Sequence, residues 1–164
     1  MGPTARAYAR GVSEERAVAA IEATGIAYEV SRHGPVGSLE EAAAARGIEP
    51  SQLVKSLVVR RADDDFLFVL VPGDRTISWP KLRQLLGVSR LSMPDAAIAR
   101  EATGYERGTI TPFGSLRAWP VVVDERVSGT ISVGGGAHGV GLKVDAADLI
   151  RVLKAQVADV SEPQ

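Results

Sequence analysis

Lys55 is the one charged residue in the run Leu53-Val54-Lys55-Ser56-Leu57-Val58-Val59. An ammonium set in an apolar strand must find an acceptor, lose its proton, or open into a pocket that supplies an anion or water. Such a group can hold a phosphate or polarise a carbonyl. The ordinary alternative is a lysine whose stem lies along the strand and whose head reaches solvent. A second group is Gly134-Gly135-Gly136-Ala137-His138-Gly139. Its spacing satisfies Gly-x-Gly-x-x-Gly, but a dinucleotide site needs a helix to open there, and Val140 to Val144 reads as a strand. The run therefore reads as a glycine turn with two open meanings. Its bare backbone can approach a ligand and offer N–H groups to an oxyanion, or it is a plain hairpin turn.

Other chemistries lack their residues. Without Cys there is no disulfide, thiol nucleophile or thiolate zinc site. The two histidines, His33 and His138, cannot make a three-histidine metal site, so no metal is expected. Ser132 lies in Thr130-Ile131-Ser132-Val133-Gly134, which is not a nucleophile elbow. Asp63, Asp64 and Asp65 read as a solvated turn.

The elements that position these residues follow from patterning. Residues 1–11 read as a loose lead-in, and Ser13 caps a helix that Gly25 stops. Ile26 to Ser31 alternates as a short strand. Ser38 and Glu41 form a capping box for an alanine-rich helix ending at Gly47, and Pro50 begins a helical turn. The Lys55 strand and the wholly apolar Phe66–Val71 strand form an antiparallel hairpin, the second covered on both faces. Ser78 caps a helix through Leu86, and Val88 to Ser92 is a short strand. Pro94 and Asp95 start a helix ending near Gly104. Residues 104–114 are too rich in Gly and Pro for a regular element and long enough to line something. Strands at Trp119–Val123 and Gly129–Val133 are joined by a turn at Asp124 to Arg126. A last helix, capped by Asp145, runs to about Val157, and the acidic tail is expected to fray. Strands in consecutive pairs with helices interspersed indicate an α+β fold, with a mixed, mostly antiparallel sheet.

With 164 residues, 45% apolar and 24% charged, the chain is expected to form one domain over 12–157, with a tail at 158–164. No apolar run approaches the ~18 residues of a membrane span, and residues 1–10 hold no apolar leader, so the cytoplasm is the expected compartment. A net charge of −1 argues against coating duplex DNA. It leaves room for one nucleic-acid end held by a local patch drawn from Arg60, Arg61, Lys81, Arg83, Arg90 and Lys143, whose other reading is scattered solvated charge.

Four segments together resemble the YbaK family, the aminoacyl-tRNA editing domains related to the insertion domain of bacterial prolyl-tRNA synthetases. They are Ser38 to Val59, Leu70 to Asp74, Thr103 to Gly114, and Gly134 to Leu149. Each alone is weakly specific; in order and spacing they form a strong set over roughly residues 12–155. The resemblance implies a curved or barrel-like sheet with surrounding helices. It also implies a freestanding, cofactor-free hydrolase that cleaves the ester of a mischarged tRNA, most simply Cys or Ala on the tRNA for proline. The aminoacyl-tRNA acceptor end would be its partner, together with a synthetase. The family's essential lysine falls on Lys55, its Gly-x-x-x-Pro loop on Gly108, Thr109, Ile110, Thr111 and Pro112, and its glycine segment on Gly134, Gly135 and Gly136. N–H groups near Gly135 and Gly136 would then bind the developing oxyanion, and the loop would set the amino-acid pocket.

Relatives often have Gly-Gly-Ile-Ser-Pro in that loop, so Thr109 and Thr111 are expected to narrow the pocket. His138 stands where relatives often carry Arg or Lys, and His33 lies in a loop near the expected pocket. Two alternatives stay open: a binding module of the same fold that holds a tRNA end, nucleotide or synthetase without turnover, and an unrelated small-molecule esterase.

Overall fold

The computed structural model describes the backbone from Ala5 and the side chains from Gly11 onward. In chain order, α1 (Ala5–Ala23), β1 (Glu29–Arg32) and α2 (Leu39–Ala45) precede a 3-10 turn at Pro50–Gln52. The hairpin β2 (Val54–Ala62) and β3 (Asp65–Pro72) follows, then β4 (Arg75–Ile77), α3 (Trp79–Leu86) and α4 (Ala96–Thr103). The last part holds β5 (Val121–Asp124), β6 (Thr130–Gly134), β7 (Val140–Asp145), α5 (Ala146–Leu153), β8 (Gln156–Ala158) and β9 (Ser161–Pro163). This is the α+β architecture that the patterning indicates.

Local signals set most helix ends. The Ser38 hydroxyl accepts from Glu41 N at 3.1 Å, while the Glu41 carboxylate accepts from Gly37 N rather than closing the box on Ser38. Asp95 and Asp145 cap α4 and α5 through their carboxylates, and Gly87 and Gly104 end α3 and α4 in the left-handed conformation. Helix α1 differs from expectation. It is already helical at Ala5, so Ser13 lies inside it; residues 1–4 of the expected lead-in lie outside the described residues. The expected Val88–Ser92 strand reduces to one bridge between Arg60 and Ser92.

Three sheets form. The first runs β2-β3-β5-β8, with β2 antiparallel to β3 and the other neighbours parallel; the second, β1-β7-β6, is antiparallel; β4 and β9 pair antiparallel. Strand β3 divides the core by alternation. Phe66, Phe68 and Leu70 join one apolar cluster with Val54, Val58, Ile131, Leu142 and Leu149. Leu67, Val69 and Val71 join another with Val59, Ile77, Leu82 and Val160. The barrel-like closure is not made. Edge strands β2 and β6 run close to each other but do not pair; the seam is joined by a single bridge, from Leu53 just before β2 to Ser132. A barrel needs that seam paired throughout; here it holds a cavity instead.

The tail is ordered rather than frayed. Val160 and Ser161 are fully buried, and β9 pairs with β4 through Thr76 and Glu162. Asp124, also buried, anchors it. Burial alone would raise this carboxyl, but hydrogen bonds from Val160 N, from Arg126 and from the Ser161 hydroxyl outweigh it and hold the carboxyl below its ordinary 3.8. A carboxyl depressed by folding stabilises above its unfolded value, and that contribution is lost as pH falls through the folded value. Asp124→Asn is expected to cost about 2 kcal/mol at neutral pH. Urea midpoints of the variant and parent should converge below about pH 4; a constant gap down to pH 2 would refute this role.

Candidate active site

The cavity at the β2–β6 seam has a volume of about 430 Å³. Leu53 and residues 54–58 of β2 form one wall and Met93, Pro94, Ala96 and Ala99, around the start of α4, another. Arg46 at the end of α2, Gly134 at the end of β6, and Arg107, Gly108 and Ile110 complete it.

The 104–114 loop owes its position to clamps from elsewhere in the chain. Arg16 on α1 donates to the carbonyls of Gly114 (2.7 Å) and Gly104 (2.9 Å), with its guanidinium 4.5 Å from the centre of the Tyr105 ring. The buried Tyr105 hydroxyl donates to Phe113 O at 2.6 Å. The glycine segment closes the other side. A Cβ on Gly134 would stand 2.5 Å from Ile110 O, so only glycine lets the loop backbone lie against the strand.

These contacts sort the residues expected from sequence. Lys55, Gly108, Ile110 and Gly134 share the cavity wall. Thr109 and Thr111 do not: both are buried inside the loop, where Thr109 Oγ1 donates to Glu106 O and Thr111 Oγ1 accepts from Phe113 N. Any narrowing of the pocket by this loop therefore falls to Ile110. Pro112 borders a different cavity, beside Trp119 and Leu153. The N–H groups of Gly135 and Gly136 are not free for an oxyanion. Gly135 N donates to Val140 O and Gly136 N to Thr109 O, each at 3.0 Å; one closes the β6–β7 turn and the other locks the loop. The half-exposed His138 sits outside the wall, over Gly108, with Nε2 3.4 Å from a Glu106 carboxylate oxygen. His33 reaches the site through Arg46, whose Nε–H it accepts on Nε2 at 3.2 Å.

Among the described residues, three charged ones line the cavity, Arg46, Lys55 and Arg107, and no Asp or Glu does. Lys55 lies on the β2 face shared by Leu57 and Val59, opposite Ser56. Its ammonium donates to the carbonyl of Arg75. Desolvation lowers its pKa from the ordinary 10.5, and the Asp74 carboxylate pulls it partly back. Desolvation likewise lowers that of Arg46. Among the described residues no cluster of three His, Asp or Glu is placed to hold a metal ion. An apolar chamber with cationic walls suits a ligand that joins a small uncharged group to an anion.

Sequence reasoning missed Arg16, Arg46, Met93 and Arg107. Arg46 stands next to the helix-ending Gly47, where a basic residue reads as a complement to the helix dipole. Arg16 acts across 88 and 98 residues, and no local pattern marks such a reach.

Comparison with known proteins agrees with this architecture. A crystal structure of a proposed trans-editing enzyme for prolyl tRNA synthetase superposes with a TM-score of 0.82 at 28% identity, covering 92% of this chain and 97% of that one. Proline–tRNA ligase of Bacillus licheniformis is 34% identical over 107 residues, 65% of this chain and 18% of the ligase. That of Lactobacillus gasseri is 32% identical over 114 residues, 69% of this chain and 20% of the ligase. The chain thus corresponds to about a fifth of these ligases. The aminoacyl-tRNA editing domain model matches residues 33–152, which hold every residue lining the cavity at the β2–β6 seam, and the chain belongs to that family.

Proposed function

We propose that this protein is an aminoacyl-tRNA deacylase acting in trans, which removes a small wrong amino acid, cysteine or alanine, from the tRNA for proline. The observation that carries this reading is the cavity wall: apolar over most of its surface, charged only by cations, and set at the seam of an editing-domain fold. Water adds to the ester carbonyl, the bond from acyl carbon to ribose oxygen breaks, and the products are the free amino acid and the tRNA hydroxyl. An aminoacyl ester is already activated, so placement and charge stabilisation matter more than a strong protein nucleophile. Lys55 supplies the positive charge for the developing oxyanion or for a substrate phosphate. Among the described residues no carboxylate or imidazole lines the cavity as a base, which favours a water activated by a group of the substrate itself. Ile110 limits the amino-acid end, and His138 borders it from above Gly108. A synthetase that holds the same tRNA would be the natural partner.

One observation favours the second reading, a binding module without turnover: the two glycine N–H groups that would serve an oxyanion are already bonded within the protein. Release of labelled amino acid from a panel of mischarged tRNAs separates the two. The panel holds alanine and cysteine on the tRNA for proline, and serine on those for threonine and alanine. Selective release from the proline tRNA is the expected result. Binding of the acceptor end without release from any member would establish the module, and equal cleavage of simple esters lacking the nucleotide would indicate a general esterase.

A further inference from the structure

We propose that Arg46 is the receptor for a phosphodiester of the substrate's acceptor end, an inference that rests on the deacylase reading above. Its guanidinium is half-buried in the cavity wall. Among the described residues, no carboxylate pairs with it. Among the other described arginines, Arg32, Arg60, Arg61, Arg117, Arg126 and Arg151 each meet a carboxylate, and Arg16 and Arg75 donate to main-chain carbonyls, Arg75 also to the Ser161 hydroxyl. Arg83, Arg90, Arg100 and Arg107 share with Arg46 the lack of a carboxylate partner among the described residues. Arg46 is set apart by being fixed in the cavity wall by two neutral side-chain acceptors, through Nε to His33 Nε2 (3.2 Å) and through Nη1 to Ser132 Oγ (3.1 Å).

The fold makes room for this arrangement. A Cβ on Gly141 would stand 2.9 Å from Arg46 Nη1 and 2.7 Å from Ser132 Oγ, so the glycine is what lets the guanidinium lie there. A charge of the same sign lies beside the adjacent residue: the Lys143 ammonium is 3.8 Å from where a Cβ on Gly47 would stand. A desolvated guanidinium that is oriented by neutral acceptors and open to a cavity retains its full charge for an incoming anion. In an aminoacylated acceptor end the α-amine is cationic and the ester neutral, so the anions are the phosphodiesters. The planar guanidinium fork matches two oxygens of such a group. His33 is then a positioning residue. Because Nε2 accepts from Arg46, the ring proton belongs on Nδ1, which lies 2.8 Å from Gly34 O and donates to it.

The test compares two mischarged acceptor-stem minihelices, one with native phosphodiesters and one with neutral methylphosphonates at the last two linkages. The parent protein should release amino acid from the native one with kcat/KM about ten- to a hundredfold higher, the range for a hydrogen bond to a charged group. In R46Q, which keeps donors for His33 and Ser132, that preference should fall to near unity. In R46K, which keeps the charge and loses the fork, it should fall severalfold; this second variant decides the question if R46Q does not fold. A preference of parental size in either folded variant, or equal cleavage of both minihelices by the parent, overturns the role of Arg46 and leaves the deacylase standing. If the parent releases nothing from either, the deacylase reading fails and this inference fails with it.

Discussion

Alanine at Lys55 is expected to slow release of amino acid from a mischarged tRNA by about a hundred- to a thousandfold, the range for removing one transition-state donor. The expectation rests on position. Lys55 is one of three cations in the cavity wall and the one whose ammonium is fixed by the main chain, at Arg75 O, with Asp74 in range to keep it charged. Stability should change little, by about 1 kcal/mol, because the variant leaves one partly solvated carbonyl acceptor without its donor. A pH series adds a second readout. Desolvation puts this ammonium below the ordinary 10.5. The parent's advantage over the variant should therefore be full near neutrality and shrink as pH rises through that lowered value. A lysine that merely braces the turn after β3 would give the opposite pattern: near-parental release with a loss confined to the melting temperature.

Gly134→Ala should damage the site from the other side. The new Cβ would meet Ile110 O at 2.5 Å and Thr109 O at 3.2 Å, and both are backbone atoms that cannot rotate away. The loop must retreat, which strains the Gly136 N–H bond to Thr109 O and moves Ile110 and Gly108 in the cavity wall. Overpacking of this kind costs about 1–3 kcal/mol, and a displacement of about 1 Å at a positioned group costs roughly a hundredfold in rate. Gly129→Ala is the matched control. It has open space around its Cβ and a φ of +68°, so it should lose about 1–2 kcal/mol through backbone strain alone and keep its release rate. Urea midpoints and release rates measured on both variants decide the matter. If Gly134→Ala releases amino acid as fast as Gly129→Ala, the loop does not shape the site.

How far the sequence could be read follows the range of the forces involved. Helix ends at Asp95, Asp145, Gly87 and Gly104 depend on a carboxylate or a missing Cβ within one turn, and those were legible. So was β3, whose unbroken apolar run marks a strand covered on both faces. The strands β5 and β6 were found, but not their separation. The turn at Asp124 to Arg126 looks like a hairpin turn, yet β5 enters a parallel ladder with β3 and β8 while β6 crosses to the other sheet. Nothing in a turn encodes that the partner of Val121 is Phe68, far back in the chain. The tail was misread for the same reason: two three-residue strands carry no periodicity, and their order comes from Asp124 and β4. At the site, Lys55 stands out because charge is rare in such a strand. Arg46 does not, because only the folded chain shows that it lacks a carboxylate.

The β4–β9 pairing also sets an order of events during synthesis. Arg75, whose carbonyl receives the Lys55 ammonium, is held through its guanidinium by Ser161, 86 residues further along. A chain emerging from the ribosome can fold its earlier parts first. The walls of the cavity, drawn from residues 46 to 134, are therefore all available before the strand that steadies the lysine's acceptor exists. A nascent chain that stops short of Ser161 would hold the wall residues and Lys55 with its acceptor not yet braced. For the deacylase proposed above, whose substrate takes part in translation, chemical competence would arrive only once Ser161 has been made.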